Sequence, residues 1–305
     1  MSMSGPAAVI VLAAGEGTRM KSSTPKVLHE VCGRTMLGHV LGAARELRPQ
    51  RLVVVVGDAD GPVARYLAEY APDALAVGQS RRGGTGHAVR ISTETLGAMD
   101  GTVVVTYGDT PLLRGRTLAD LVAARESTGA AATALVARAE DPTGYGRIIR
   151  DQAGGFAGIV EQADASPEQA AIDEINTGMY AFDGRLLADA VQRLSTDNAK
   201  GEEYLTDVLS ILSADGFAVG TVWCADFDEI LGVNDQAQLA RARRVLNDRL
   251  LGSWMGSGAV VGPYAHLTAG ARVEASTSVP GAAPWGGLAA PGEPELSPVA
   301  LGKGE

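Results

Sequence analysis

A short loop near the N-terminus carries residue types that could bind phosphate. It follows an apolar run and contains Gly15, Gly17 and Arg19, with Lys26 seven residues after the arginine. Glycines let backbone amides approach an anion closely, and a following helix N-terminus favours negative charge. Two cations on one short loop suit a triphosphate together with a second phosphate. The segment therefore predicts a site for phosphorylated ligands.

Two standard nucleotide-binding loops do not match this segment. The P-loop pattern G-x-x-x-x-G-K-[ST] is absent. The dinucleotide pattern G-x-G-x-x-G begins with Gly15 and Gly17, but Met20 stands where the third glycine belongs. A Walker-type ATPase and an NAD-binding domain are therefore not supported.

The composition narrows the class of protein. The 305 residues carry a net charge of −10, and no run of Lys or Arg favours a nucleic-acid partner. Cys32 and Cys224 give no disulfide framework, and four scattered histidines offer no zinc spacing. The sequence shows no signal peptide and no transmembrane run, so we expect a cytoplasmic protein that does not bind membranes.

The elements around the loop alternate between strand-like and helix-like patterns. Apolar runs such as AAVIVLAA, RLVVVVGD and GTVVVTYGD read as buried strands, and amphipathic segments between them read as helices. This order predicts an α/β fold with a parallel sheet covered by helices on both faces. Closely spaced strands in 130–182 predict an antiparallel extension of that sheet, and 202–216 reads as a helix ending at Gly216.

The C-terminal part has a different pattern. Residues 234–252 predict a linker helix, which follows an α/β domain spanning 1–233. Apolar residues then recur every six positions over 253–279, the mark of a left-handed parallel β-helix, although they span little more than one coil. Residues 280–305 are rich in Pro, Gly, Ser and Ala and are predicted to be disordered.

Eight motifs in order resemble those of the sugar-1-phosphate nucleotidyltransferases. The first is LAAGEGTRMKSSTPK, and the others are GTGHAV, YGDTPLL, DPTGYGRIIR, IVEQADA, EINTGMYAFD, NAKGEEYLTD and GVNDQAQL. Residues 7–250 are most similar to the uridylyltransferase half of the bacterial bifunctional N-acetylglucosamine-1-phosphate uridylyltransferase/glucosamine-1-phosphate acetyltransferases.

The resemblance implies a Rossmann-like nucleotidyltransferase domain with a mixed sheet and Mg²⁺ as cofactor. The substrates would be UTP and N-acetylglucosamine 1-phosphate, and the products UDP-N-acetylglucosamine and pyrophosphate. Because the attacking phosphate oxygen is already ionised, no general base is needed, and positioning and charge neutralisation are the main tasks. The resemblance implies Asp109 and Asn234 as metal ligands. It also implies that Arg19 contacts the leaving pyrophosphate and that Lys26 contacts the phosphates near the attacked phosphorus.

The resemblance also implies a set of substrate-binding residues. Gln79 is expected to pair with the edge of uracil, because a side-chain amide both donates and accepts hydrogen bonds. Glu161 and Asn176, with Gly146, are expected to hold the sugar hydroxyls and the acetamido group. His87 is expected to have a structural role. The full set is Leu12, Ala13, Ala14, Gly15, Lys26, Gln79, Gly84, Thr85, Tyr107, Gly108, Asp109, Gly146, Glu161, Asn176 and Asn234.

The chain departs from the resembled family at two places. Thr268 stands where a basic residue commonly helps to bind the acetyl acceptor, and few hexapeptide coils remain, so acetyl transfer is predicted absent. Glu203 stands where an aromatic residue is common. Two alternatives remain open: a related enzyme for another sugar 1-phosphate or dTTP, and a non-catalytic sugar-nucleotide-binding protein. A monomer or a weak homo-oligomer is expected.

Overall fold

Strands and helices alternate through the first half of the chain, as the apolar periodicity predicts. The computed structural model describes residues 5–262, 265–270 and 278–279. The strands are β1 (Ala8–Leu12), β2 (Glu30–Val31), β3 (Arg34–Thr35), β4 (Leu52–Val56), β5 (Ala74–Gly78), β6 (Thr102–Tyr107), β7 (Ala132–Arg138), β8 (Gly146–Arg150), β9 (Phe156–Val160), β10 (Glu174–Asp183), β11 (Val219–Trp223), β12 (Val260–Val261) and β13 (Ser278–Val279). The helices are α1 (Met36–Glu46), α2 (Pro62–Tyr70), α3 (Thr85–Leu96), α4 (Gly115–Thr128), α5 (Pro167–Ala170), α6 (Gly184–Ala190), α7 (Thr206–Ala214) and α8 (Gln236–Gly256).

The main sheet is mixed. Its order is β11-β7-β10-β6-β1-β4-β5, and β8 and β9 form a hairpin attached to β10. Strands β6, β1, β4 and β5 are parallel, whereas β10 runs antiparallel to β6, β7 and β8. The predicted α/β fold class is confirmed, and the antiparallel extension lies where the closely spaced strands predicted it.

The central strand β1 is buried on both faces. Val9 and Val11 belong to a core cluster that includes side chains of α1, α2 and α4. Ile10 and Leu12 belong to a second cluster that includes side chains of α3, α6 and α7. A strand between two helical layers needs apolar residues at every position, which explains the run without alternation.

Strand β10 is irregular in its middle. Its pairing with β7 shifts register between Asn176 and Tyr180. Gly178, within this bulge, has a φ of 77°, and a Cβ there would collide with the ring of Tyr107. Bulges redirect side chains and are frequent beside active sites. Here the bulge brings the end of β6 against the middle of β10.

Helix α7 begins later than its sequence predicts. The prediction placed a helix from Glu202, but the structure has it begin at Thr206. The preceding segment pairs by its backbone with the start of α3 and the loop before it: Glu203 N donates to Gly83 O at 2.7 Å, and Gly86 N donates to Glu203 O at 2.8 Å. These bonds hold Glu203 outside a helix.

The chain divides into two compact units, and in the C-terminal one, 247–305, hydrogen bonds join the end of α8 to the segment that follows it. Asn247 donates to Ala265 O at 3.0 Å and accepts from Leu267 N at 2.9 Å. Strands β12 and β13 pair in parallel, with partners 18 residues apart, the spacing of three hexads.

The helix in this part of the chain is longer than predicted. Helix α8 continues to Gly256 rather than ending at residue 252, so Met255 lies in the helix and not in a coil. The chain turns at Gly258, whose N–H donates to Met255 O at 3.0 Å. The predicted tail, 280–305, lies outside the described residues, and the domain boundaries stay predictions. Within the described ranges, no helix combines the length and the apolar character needed to cross a membrane.

Candidate active site

The carboxyl ends of the parallel strands surround a cavity of about 280 Å³, which we call the glycine-loop cavity. Open parallel sheets bind ligands at this edge. Most of the predicted substrate-binding residues line it: Leu12, Ala13, Ala14, Gly15, Lys26, Gln79, Gly84, Thr85, Tyr107 and Asp109. Residues far apart in sequence therefore meet because the parallel neighbours β6, β1, β4 and β5 end at the same edge of the sheet.

Gly108 does not line this cavity, although it was predicted to bind substrate. Its N–H donates to Leu12 O at 2.9 Å and joins the ends of β6 and β1. A Cβ at this position would lie 3.2 Å from the Cβ of Ala13. The structure thus places Gly108 where two strand ends pack closely.

Gln79 is 5% exposed, and its side-chain amide is oriented by two neighbours. Nε2 lies 3.0 Å from Gly84 O and 2.9 Å from His87 Nδ1. Since a carbonyl oxygen can only accept, the group facing Gly84 must be the NH₂ donor. The backbone at Gly84 has a φ of 101°, and a Cβ there would collide with Glu203 O, which explains the glycine.

A second cavity, of about 160 Å³, lies over the antiparallel strands, and we call it the strand cavity. Gly146, Glu161 and Asn176 line it together with Thr85 and Tyr107. The three residues predicted to hold the sugar are therefore brought together.

The amide of Asn176 is held by β10 itself. Nδ2 donates to Tyr180 Oη at 2.7 Å, and Oδ1 accepts from Gly178 N at 3.1 Å. Both bonds span the bulge. The irregular backbone of β10 thus fixes the orientation of Asn176 in the strand cavity.

A third cavity, of about 300 Å³, contains Arg19, Asp109 and Asn234, and we call it the Arg19 cavity. Tyr107 lines all three cavities, and Asp109 lines both the glycine-loop and the Arg19 cavities. Arg19 and Asn234 do not line the glycine-loop cavity. The predicted site is thus divided into three compartments that meet at the end of β6.

Lys26 connects the two residues predicted to bind metal. Its ammonium donates to Asp109 Oδ2 and to Asn234 Oδ1, the latter at 2.9 Å. The lysine is buried, with only 9% of its surface exposed. Oxygens of a carboxylate and an amide therefore converge on one cation.

This donor set can be tested against Mg²⁺. Among the described residues, no three His, Cys, Asp or Glu side chains form a metal cluster. Two converging oxygen donors nevertheless fit a hard cation that keeps several waters and takes further ligands from a nucleotide. Asp109 and Asn234 are the residues that would hold it.

The strand cavity is acidic. Burial raises the pKa of Glu161, and a hydrogen bond from Thr206 lowers this pKa by a smaller amount. Burial, together with the nearby Asp164, raises the pKa of Asp207. Burial also raises the pKa of Tyr107, so this phenol stays neutral and can donate a hydrogen bond.

The chain matches one protein family, and this match decides its functional class. Residues 9–210 match the MobA-like NTP transferase domain. The chain belongs to the MobA-like NTP transferase family. This match covers β1 to α7 and hence the glycine-loop and strand cavities. It confirms the nucleotidyltransferase resemblance that the motifs carry.

Curated relatives extend the match. The chain is 61% identical over 265 residues to the "Bifunctional protein GlmU" of Thermobifida fusca, covering 86% of this chain and 55% of that protein. Over 263 residues it is 58% identical to the protein of the same name in Streptomyces coelicolor, again covering 86% and 55%. The Kineococcus radiotolerans protein is 49% identical over 275 residues, covering 90% and 56%. The chain thus spans about half the length of the curated relatives it matches.

Several residues of this NTP transferase domain escaped sequence reasoning. Arg82 lines the glycine-loop cavity and forms an ion pair with Glu16. The basic pair in QSRRGGTGH, next to a glycine-rich turn, was the available signal. Tyr145, which lines the strand and Arg19 cavities, stands in the motif DPTGYGRIIR but had received no role.

Glu203, which stands where an aromatic residue is common in the resembled family, forms an ion pair. Its carboxylate binds the Arg90 guanidinium through two hydrogen bonds of 2.9 and 3.0 Å. Glu202, its neighbour, lines the glycine-loop cavity instead.

Proposed function

We propose that this protein transfers UMP from UTP to N-acetylglucosamine 1-phosphate, giving UDP-N-acetylglucosamine and pyrophosphate. The proposal rests mainly on Lys26, whose ammonium joins Asp109 and Asn234 where the compartments meet. A buried cation at that point suits the α-phosphate of a nucleotide whose base lies on one side and whose sugar acceptor lies on the other. The family and the relatives support nucleotidyl transfer as the reaction class.

The base preference follows from Gln79. Its NH₂ group has two hydrogens, and Gly84 O and His87 Nδ1 account for both. Oε1 therefore remains to meet a base in the glycine-loop cavity. Uracil and thymine have an N3–H that can donate a hydrogen bond to this oxygen, whereas N3 of cytosine is itself an acceptor.

The acceptor preference follows from the strand cavity. Glu161 offers acceptors for hydroxyl groups, and Asn176 is held in one orientation by Tyr180 and Gly178. The phenol of Tyr107 adds a neutral donor at the border between compartments. A polar sugar with hydroxyl and acetamido groups matches this lining.

The reaction needs little proton transfer. A phosphate oxygen of the sugar phosphate attacks the α-phosphorus, the bond to the β-phosphate breaks, and pyrophosphate carries away the electron pair. Lys26 neutralises charge at the attacked phosphate, and Arg19, on the Arg19 cavity, is assigned to the pyrophosphate. Asp109 and Asn234 would hold Mg²⁺, which would supply positive charge to offset that of the phosphates. In that complex the Lys26 ammonium is expected to contact phosphate instead.

The test is a pyrophosphate-release assay over a matrix of nucleotides and sugar phosphates. UTP, dTTP, CTP and ATP are combined with N-acetylglucosamine, glucose and N-acetylgalactosamine 1-phosphates, with and without Mg²⁺. We expect the highest kcat/KM for UTP with N-acetylglucosamine 1-phosphate. Another preferred pair would keep the reaction class and change the substrates. Binding without any turnover would identify a sugar-nucleotide-binding protein.

Acetyl transfer stays predicted absent for this chain. A thiol-release assay with acetyl-CoA and glucosamine 1-phosphate tests this prediction. Coenzyme A released only when the amino sugar phosphate is present would contradict it. Light scattering of the same sample measures whether the chain is a monomer or a weak homo-oligomer. We place the reaction in the cytoplasm, where both proposed substrates would be available.

A further inference from the structure

His87 contacts the proposed base-recognition residue without lining the glycine-loop cavity. It lies on the first turn of α3, and its Nδ1 is 2.9 Å from Gln79 Nε2. The proposed reaction gives this imidazole no step. Its position nevertheless decides which end of the Gln79 amide can turn toward a ligand.

The contact fixes the tautomer of the imidazole. Because Gly84 O must accept, Gln79 places its NH₂ group, and not Oε1, between Gly84 and His87. Nδ1 must then accept the second hydrogen of that group. A neutral His87 consequently carries its proton on Nε2.

Charged groups approach His87 from each neighbouring segment. Arg90 and Glu94 lie on its own helix, Arg81 lies on the preceding loop, and Glu203 lies on the segment before α7. Arg90 is paired with both Glu203 and Glu94. Burial is the main influence on the imidazole and lowers its pKa, so the neutral form prevails at pH 7.

We infer that His87 is a positioning residue that sets base selection, by holding the Gln79 amide with its oxygen toward the nucleotide. This inference rests on the proposed function, because it assumes that a nucleotide base meets Gln79. Without an acceptor at Nδ1, one hydrogen of Gln79 loses its partner. The amide can then rotate, and its NH₂ group can donate to N3 of cytosine.

Protonation of His87 has the same consequence. Nδ1–H and Gln79 NH₂ are both donors, so the charged imidazole no longer holds the amide in place. Rotation of Gln79 would bring Oε1 against Gly84 O, which resists the change. Since the pKa lies below the ordinary 6.5, selection holds at neutral pH and weakens only in more acidic solution.

The experiment measures binding of UTP and CTP to the full chain by calorimetry, with Mg²⁺ present and the sugar phosphate absent. The readout is the ratio of the Kd for CTP to the Kd for UTP between pH 5.5 and 8. His87→Leu removes the acceptor, and we expect the ratio at pH 7.5 to fall by about tenfold. His87→Asn, whose Oδ1 can replace Nδ1 as acceptor, is expected to restore most of the ratio.

Controls separate base selection from folding. Thr95→Ala, on an exposed position of α3, should leave the ratio unchanged. Partial unfolding weakens binding of both nucleotides alike and so leaves their ratio intact. In the wild type the ratio should fall below pH 6.5, whereas in His87→Asn it should stay constant apart from the titration of CTP itself.

The outcomes separate this inference from the proposed function. An unchanged ratio in His87→Leu, with normal pyrophosphate release from UTP, overturns the role of His87 alone. If the ratio of the Kd for CTP to the Kd for UTP falls in His87→Leu, but the wild type releases no pyrophosphate, the role of His87 stands and the proposed reaction is overturned. A wild type that binds neither nucleotide overturns both.

Discussion

The glycine-loop cavity and the strand cavity lie on one sheet but differ in the charge of their linings. The first lies at the ends of parallel strands and has cations in its lining, namely Lys26 and Arg82. The second lies over antiparallel strands, and Glu161 gives it an acidic lining. Phosphates need positive charge and backbone amides, whereas neutral sugar hydroxyls need hydrogen-bond acceptors.

This difference between the two regions would let one sheet hold the two proposed substrates apart. Parallel strands end together and present loops, so the phosphate side is built largely from backbone and from glycines. In the strand cavity, by contrast, Glu161 directly follows the last residue of β9, and Asn176 comes from the bulged part of β10. Tyr107 stands at the border of the two regions. Substitutions on each side should therefore affect different kinetic constants.

Asp109→Ala should produce the largest effect, because it removes the carboxylate shared by Lys26 and the proposed metal. We expect kcat to fall roughly 100-fold or more. Steady-state pyrophosphate release over a Mg²⁺ titration measures this loss. Asp120→Ala, at an exposed position on α4, serves as control. Near-normal Mg²⁺-dependent turnover would remove Asp109 from the site.

Lys26→Ala tests the cation on the phosphate side. We expect kcat to fall by about 100-fold in both synthesis and pyrophosphorolysis, since one charged contact is lost in the shared transition state. The KM for the sugar phosphate should change little. Lys21→Ala, an exposed lysine of the same loop, provides the comparison. Equal losses in the two variants would indicate a general charge effect.

Asn176→Ala probes the strand cavity. The variant loses the hydrogen bonds to Tyr180 and Gly178. It also loses the proposed contact to the sugar. We expect the KM for N-acetylglucosamine 1-phosphate to rise about tenfold while the KM for UTP stays near its wild-type value. Initial rates with each substrate varied separately give both constants. A rise confined to UTP would contradict the division into two sides.

Arg19→Ala should have a smaller effect, because Arg19 is exposed. We expect the KM for pyrophosphate in the reverse reaction to rise about fivefold, since a solvent-exposed ion pair contributes about 1 kcal/mol or less. Pyrophosphorolysis of UDP-N-acetylglucosamine measures it, and the effect should weaken at high salt. A change in the KM for the sugar nucleotide alone would place Arg19 elsewhere.

Glu161→Gln should have the smallest effect, and the property affected is the stability of the fold. Burial raises the pKa of Glu161, so the folded state binds its proton more tightly than the unfolded state. The ionised carboxylate therefore destabilises the fold, and this cost develops as pH rises through the range between the unfolded and the folded pKa. We expect the variant to melt a few degrees higher than wild type at pH 7.5, with little difference near pH 4. Calorimetric scans at both pH values test this, and an equal shift at both would exclude ionisation as the cause.

The sequence predicted which residues lie near one another better than it predicted the contacts between them. The strand pattern placed Asp109 at the end of a parallel strand, whereas only the resemblance to the nucleotidyltransferases placed Asn234 beside it. Spacing could not reveal that Lys26 bridges them, since that contact joins side chains 83 and 208 residues apart. The start of α7 was missed for a similar reason. Glu203 pairs with the distant Gly83 and Gly86, and local helix propensity contains no information about such partners.

The bridge from Lys26 to Asp109 and Asn234 also bears on how the protein is made. A partly buried carboxylate such as that of Asp109 would oppose folding if it had no counter-charge, and many metal sites are ordered only when their ion binds. Here the chain supplies its own cation, and the oxygens already converge on the lysine. Under the proposed function, folding and metal loading are separate events. We expect a newly synthesised chain to complete its domain without Mg²⁺ and to receive the proposed ion later, together with the nucleotide.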